Sequence, residues 1–214
     1  MEIVYANNFM KYYLSSFEIG KEGKKLTSLC PHGKIGYIPN ARDFISINLE
    51  RRENRNKKDM SLLNDLGLMV ALIDLRDYFG RQDALRKKLK ELGAIFISGG
   101  NVFILRQAMK LSGLDIILKE LQNDVNFLYA GYSAGGCVLA QSLKGMDIVD
   151  SLDTPYDEQK EIIWEGLEFV DFRFIPHWHS DHPESEDIEK EVEYCKQNNI
   201  PYRTLKDGEV LIIE

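Results

Sequence analysis

The sequence predicts a doubly wound α/β fold, a mostly parallel sheet with helices on both faces, and three observations carry that prediction. Short, almost continuously apolar runs recur along the chain, as parallel strands covered on both faces require. Longer amphipathic segments separate them. A Gly-x-Ser-x-Gly sequence, Gly131-Tyr132-Ser133-Ala134-Gly135, joins one such run to one such segment. In this fold class the site lies at the C-terminal ends of the strands.

Taken in order, buried strands are expected at Lys34–Pro39, Met69–Asp74, Ala94–Ser98 and Asn126–Ala130. Helices are expected between them, at about 42–66, 82–92, 101–122 with a break near Ser112-Gly113, and 135–144. Beyond these, Phe172–Pro176 reads as a strand and 184–198 as a helix. Two last strands, Tyr202–Leu205 and Glu209–Ile213, flank Lys206-Asp207-Gly208 and read as a C-terminal β-hairpin. Residues 145–165 show no clear period, and no repeat or low-complexity segment interrupts the chain.

A length of 214 residues, 44% hydrophobic, supports one core and a single domain over 1–214. The net charge of −7 argues against nucleic acid, because phosphate binding draws on clustered Lys and Arg. The one basic run, Arg51 to Lys58, is short and interrupted, as a solvated helix face would be. Cys30, Cys137 and Cys195 are too scattered for a disulfide framework or a zinc knuckle. No stretch approaches the roughly 18 apolar residues of a membrane span. The first residues, Met1 to Ala6, open acidic rather than basic, unlike a signal peptide. A cytoplasmic location, without membrane association, is the expectation.

Strand, Gly-x-Ser-x-Gly and helix together describe a nucleophile elbow that exposes Ser133 at the edge of a cleft. A serine nucleophile needs oxyanion donors and a base. The Ala134 N–H supplies one donor, and Ser98-Gly99-Gly100-Asn101 is placed to supply another. That segment ends a strand and opens a helix, so its N–H groups sit at a positive helix end and Gly99, Gly100 and Asn101 lie close to a substrate. Three of the four histidines fall in Pro176-His177-Trp178-His179-Ser180-Asp181-His182, just past an expected strand. His177, nearest the strand end, is the best-placed base. The residues leave the carboxylate behind it open among Asp147, Asp150, Asp181, Glu184 and Glu186.

The same histidine cluster fits a His-x-His-x-Asp-His metal pattern, but that chemistry needs further His and Asp ligands downstream, and no histidine follows His182. No metal or other cofactor is expected. Cys137, four residues past the serine, is expected as a small buried hydrophobe.

The ordered set Gly99-Gly100-Asn101-Val102-Phe103, Gly131 to Gly135 and Pro176-His177 resembles the peptidase E family, aspartyl dipeptidases with the fold of class I glutamine amidotransferases. The similarity runs from about Lys34 to Glu214. The resemblance implies a Ser-His-carboxylate peptidase that removes the N-terminal residue from short peptides. Ser133 would be its nucleophile, His177 its base, and Gly100 and Ala134 its oxyanion donors. The acid implied by spacing from the serine is Asp147, once a small gap is introduced. The family's specificity arginine has no counterpart in Ser180 to Glu191, and Arg173 is the nearest substitute. Expected partners are a small peptide substrate and, in a homodimer, a second copy of the chain. Two other readings use the same elbow: an esterase or amidase on small non-peptide substrates, and a binding protein without turnover.

Overall fold

The computed structural model describes residues 2–4 by their backbone, and residues 9–44 and 48–214. Nine strands are assigned: β1 Glu2–Val4, β2 Lys11–Ser15, β3 Lys34–Ile38, β4 Met69–Leu72, β5 Ala94–Ile97, β6 Leu128–Tyr132, β7 Arg173–Ile175, β8 Tyr202–Thr204 and β9 Val210–Ile213. The helices are α1 Gly23–Leu29, α2 Leu49–Asp65, α3 Gln82–Leu92, α4 Val102–Ser112, α5 Leu114–Leu121, α6 Ala134–Cys137 and α7 Ser185–Gln197.

Seven strands form the main sheet in the order β1-β9-β2-β6-β5-β3-β4. The five from β2 to β4 run parallel, and β9 pairs antiparallel with β2 while β1 runs alongside β9. Alternation along the strands supplies two cores, one on each face. Tyr12, Leu14, Ile95, Ile97 and Tyr129 pack on one face with the buried sides of α3, α4 and α5. Tyr13, Phe96, Leu128, Ala130 and Tyr132 pack on the other with Leu26 and Leu29 of α1 and Leu63 of α2. Leu85, Leu89 and Leu92 of α3 recur at helical spacing and are all buried. The predicted fold class is therefore the observed one. The expected break at Ser112-Gly113 is also present, with Gly113 at φ 73° separating α4 from α5.

The structure differs from the sequence expectations in five places. The helix expected over about 42–66 begins only at Leu49, and residues 45–47 of that stretch lie outside the described residues. The expected C-terminal hairpin does not form. Instead β8 pairs in parallel with β7 in a separate two-stranded sheet, while β9 enters the main sheet between β1 and β2. The chemistry of the two strands explains the split: Val210, Leu211 and Ile212 are apolar and buried, whereas Tyr202-Arg203-Thr204 is half-buried. The helix expected over 135–144 stops at Cys137. Past it, the Val138, Leu139 and Ala140 carbonyls accept from the N–H groups of Leu167, Phe169 and Glu168 rather than continuing the helix. Strand β2 and helix α1 lie where no element was expected. Finally, β4 is apolar but sits at the sheet edge, leaving Met69 58% and Leu72 54% exposed.

No helix among the described residues is long and apolar enough to cross a membrane.

Candidate active site

The C-terminal ends of β5 and β6 build the first half of the site. Ser133 follows β6 directly and holds φ 46°, ψ −116°, a conformation costing about 1–3 kcal/mol for a residue with a Cβ. The next turn fixes it there, since the Ser133 carbonyl accepts from the N–H groups of Gly136 at 2.8 Å and Cys137 at 3.0 Å. The tight approach of α6 to β5 requires glycine, because a Cβ on Gly135 would lie 2.8 Å from the Ile97 carbonyl oxygen. Ser133 Oγ makes no hydrogen bond among the described residues.

The turn after β5 comes up against this serine: a Cβ on Gly99 would lie 3.1 Å from Ser133 Cβ. Gly100 has φ 146°, and a Cβ there would meet the Ala41 carbonyl oxygen at 2.3 Å. Neither Gly100 N–H nor Ala134 N–H has a protein acceptor among the described residues, as donors held for a ligand would be left. Asn101 plays a different part. It is fully buried, its Oδ1 caps α4 by accepting from Phe103 and Ile104 N–H, and its Nδ2 donates to the Ser151 carbonyl at 2.6 Å. With both ends of the amide engaged, Asn101 shapes the turn instead of facing a substrate.

His177, two residues past β7, is only 2% exposed. Its Nδ1 lies 2.7 Å from Asp207 Oδ1, and an ionised carboxylate can only accept, so Nδ1 carries the proton and Nε2 keeps its lone pair. Ser16, just past β2, ties the pair down: its Oγ accepts from the His177 N–H at 2.8 Å and donates to Asp207 Oδ1 at 2.9 Å. Asp207 N–H in turn donates to Ser180 Oγ at 2.8 Å. Above the imidazole, the His182 ring stacks at 3.7 Å and 7°. Burial pushes the His177 imidazole below its ordinary value, and His182 adds to this; Asp207 opposes both.

Asp147, the expected acid, is not behind His177. It is exposed in a short turn, Met146–Ile148, where its Oδ1 accepts from Gly145 N–H at 2.9 Å. The alternatives are also elsewhere: Asp150 Oδ2 accepts from Val102 N–H at 2.7 Å, and Asp181 and Glu186 are exposed. Glu184 lies against His182, Oε2 to Nδ1 3.8 Å. Sequence reasoning missed Asp207 because its place depends on the parallel pairing of β7 with β8. The register Ile175↔Thr204 carries the residues that follow each strand to one end of the small sheet. The signal available in the sequence was an aspartate in a turn immediately after a strand.

Ser133 and Pro176, the neighbour of His177, line one cleft together with Cys137, Asp150, Glu184 and Glu191. Cys137 is buried as expected, yet it also forms part of this wall, its Sγ 3.4 Å from the Phe174 carbonyl oxygen. Arg173 does not open into the cleft. It is 2% exposed, donates to the Ser142 and Lys144 carbonyls, and meets Glu191 Oε1 at 3.4 Å. An acidic substrate side chain therefore finds no free guanidinium there. Of the His-x-His-x-Asp-His pattern, His179 and Asp181 turn outward. Ligand atoms of His177, His182 and Glu184 lie within 4.8 Å of one another, the set able to hold a cation among the described residues.

Fold and site together define a doubly wound α/β protein of the serine-elbow class, with an imidazole–carboxylate pair that follows the small sheet and is tied by Ser16 to the end of β2 in the main sheet. The chain belongs to peptidase family S51, whose model matches residues 21–214. It is 30% identical over 119 residues to an uncharacterized peptidase of Listeria innocua and 30% over 120 residues to one of Listeria monocytogenes. Each match covers 55% of this chain, and the chain spans about half the length of these relatives, 54% and 55%. Peptidase E of Streptomyces coelicolor is 27% identical over 208 residues, covering 88% of this chain and 79% of that protein. Among solved structures, a Listeria monocytogenes protein described as a peptidase E superposes with a TM-score of 0.71 at 22% identity, covering 95% of this chain and 98% of that one. A peptidase from an acI-B1 Actinobacterium gives 0.67 at 18% identity, with 95% and 83% covered.

Proposed function

We propose that the protein is a serine peptidase that removes the N-terminal residue from short peptides, with Ser133, His177 and Asp207 as its triad. The observation that carries this reading is the 2.7 Å contact between His177 Nδ1 and Asp207 Oδ1, which leaves Nε2 free as a base. Ser133 Oγ attacks the carbonyl carbon of the scissile bond while Nε2 takes its proton. The oxyanion that develops is held by the N–H groups of Gly100 and Ala134. The imidazolium, stabilised by Asp207, then protonates the leaving amine, and water repeats the sequence on the acyl-enzyme. Gly99 stands against the nucleophile as backbone lining. The carboxylates of the cleft favour the free amino group of the substrate, which supports removal of a terminal residue over internal cleavage.

The test is a panel of di- and tripeptides, free and N-acetylated, assayed with the wild-type protein and with Ser133→Ala. Hydrolysis of the free peptides that disappears in Ser133→Ala and spares the acetylated set supports the reading. Unchanged hydrolysis in Ser133→Ala sinks it, and turnover of acyl esters without peptides would move the assignment to an esterase.

A further inference from the structure

We propose that Ser16 is a positioning residue for the site, whose hydroxyl holds His177 and Asp207 in register with Ser133. The inference rests on the reading of those three side chains as a triad. The members come from two sheets. Ser133 follows β6 of the main sheet, while His177 and Asp207 follow β7 and β8 of the separate two-stranded sheet. A base must be set against its nucleophile to a fraction of an ångström, so the loops of one sheet have to be fixed against those of the other. Apolar packing does only part of this. Phe174 of β7 packs over Gly136 of α6, where a Cβ would lie 2.6 Å from the ring. That contact brings β7 beside the elbow, but it lies before His177 in the chain and sets no angle for the imidazole.

The end of β2 supplies the missing link. The Ser15 carbonyl accepts from the Ser133 N–H at 3.3 Å, at the point where β2 pairs with β6 through Ser15↔Tyr132. The Ser16 N–H donates to the Glu209 carbonyl at 3.1 Å, which anchors the residue to the chain entering β9. From this fixed backbone the fully buried Ser16 hydroxyl reaches the small sheet. It accepts from the His177 N–H at 2.8 Å and donates to Asp207 Oδ1 at 2.9 Å. The Leu205 carbonyl is a second acceptor at 3.2 Å, but one O–H serves one acceptor, and the nearer, charged one is the stronger.

Both partners need the hold. His177 has φ 59°, a left-handed conformation that a residue with a Cβ keeps only where its surroundings dictate it. Ser16 Oγ is the acceptor of its N–H among the described residues, so losing the hydroxyl leaves a buried donor unpaired. Asp207 stands in a turn with its side chain 27% exposed. It is open enough to swing from the imidazole unless a second donor holds the oxygen that His177 uses. One side-chain atom must therefore accept and donate at once. A hydroxyl does both, a methyl neither, and a thiol only weakly.

The experiment measures the rate of fluorophosphonate labelling at Ser133 in the full chain, which needs an activated serine but no particular peptide. It compares wild type, Ser16→Ala and Ser16→Cys, each checked for a cooperative melting transition. Should Ser16→Ala fail to fold, Ser16→Cys, which keeps the side chain's shape, carries the test. In the same samples, proton NMR follows the His177 Nδ1–H, assigned by its absence in His177→Ala. That resonance reports the contact with Asp207, which a purely structural role for Ser16 would not move. The expected result is labelling slowed about a hundredfold in both variants, with the imidazole resonance shifted or lost. Labelling near the wild-type rate in either variant, or slowed labelling with the resonance unmoved, overturns the proposal. The two failures are distinct: labelled wild type with insensitive variants removes only the role of Ser16, whereas unlabelled wild type removes the triad reading and the proposal with it.

Discussion

At the scale of single residues, the placement of Ser133 and His177 just past strands was legible in the sequence, because strand ends can be read from apolar runs. The placement of Asp207 beside His177 was not, although it too stands in a turn just after a strand, because only the pairing of β7 with β8 brings it to the imidazole. The contrast is testable. Asp207→Asn is expected to lower kcat by about a thousandfold to ten-thousandfold, while Asp147→Asn, whose carboxylate serves an exposed turn, leaves it near wild type. Comparable losses in both variants would return the acid to doubt. The acid limb of the reaction follows from His177. Its value is depressed, so the neutral, base-competent imidazole persists to lower pH, and the limb of kcat/KM lies below about 6.5. His182→Phe keeps a ring on the imidazole and removes the neighbouring charge, so His177 rises and the limb moves to higher pH. A pH profile on a peptide with an uncharged side chain reads this directly, and a limb that stays or moves lower contradicts it.

At the scale of elements, the proposed elbow rests on the close approach of two turns at the ends of adjacent parallel strands. The Gly99-Gly100 turn was recognisable as a strand-to-helix junction. What the sequence did not reveal is how Gly100 is held, because its constraint is the Ala41 carbonyl after β3, nearly 60 residues earlier. Gly100→Ala must shift that turn and with it the N–H proposed as an oxyanion donor. The expected outcome is a kcat lowered by about a hundredfold or more, together with a lower melting temperature because the new Cβ meets the Ala41 carbonyl oxygen. A variant that keeps wild-type kcat would show that the Gly100 N–H takes no part. The truncation of the expected helix at Cys137 has the same non-local origin, since the partners of Val138 to Ala140 lie at 167–170.

At the scale of the molecule, periodicity gave four of the five parallel strands, β3 to β6, while one end of the sheet escaped it: β1, β2 and the placement of β9 depend on long-range pairing. The face behind the elbow is tied together by polar side chains that were invisible as a group. Arg42, past β3, reaches Asp59 of α2 at 2.7 Å, and Tyr37 and Tyr132 donate to the same Asp59 Oδ2 at 2.8 and 2.9 Å. Arg42 and Asp59 are both buried, so Arg42→Met strands a charge and is expected to cost about 3–5 kcal/mol. Urea unfolding measures it, and a loss under about 1 kcal/mol would mean that the pair is not desolvated as its burial implies. For the account as a whole, the most direct measurement is intact-mass and peptide-mapping analysis after treatment with a fluorophosphonate, which reacts only with an activated serine. The account predicts one adduct per chain, on Ser133, formed far more slowly in His177→Ala and in Asp207→Asn. Folded wild-type protein that stays unlabelled, or an adduct whose rate ignores both substitutions, would contradict it.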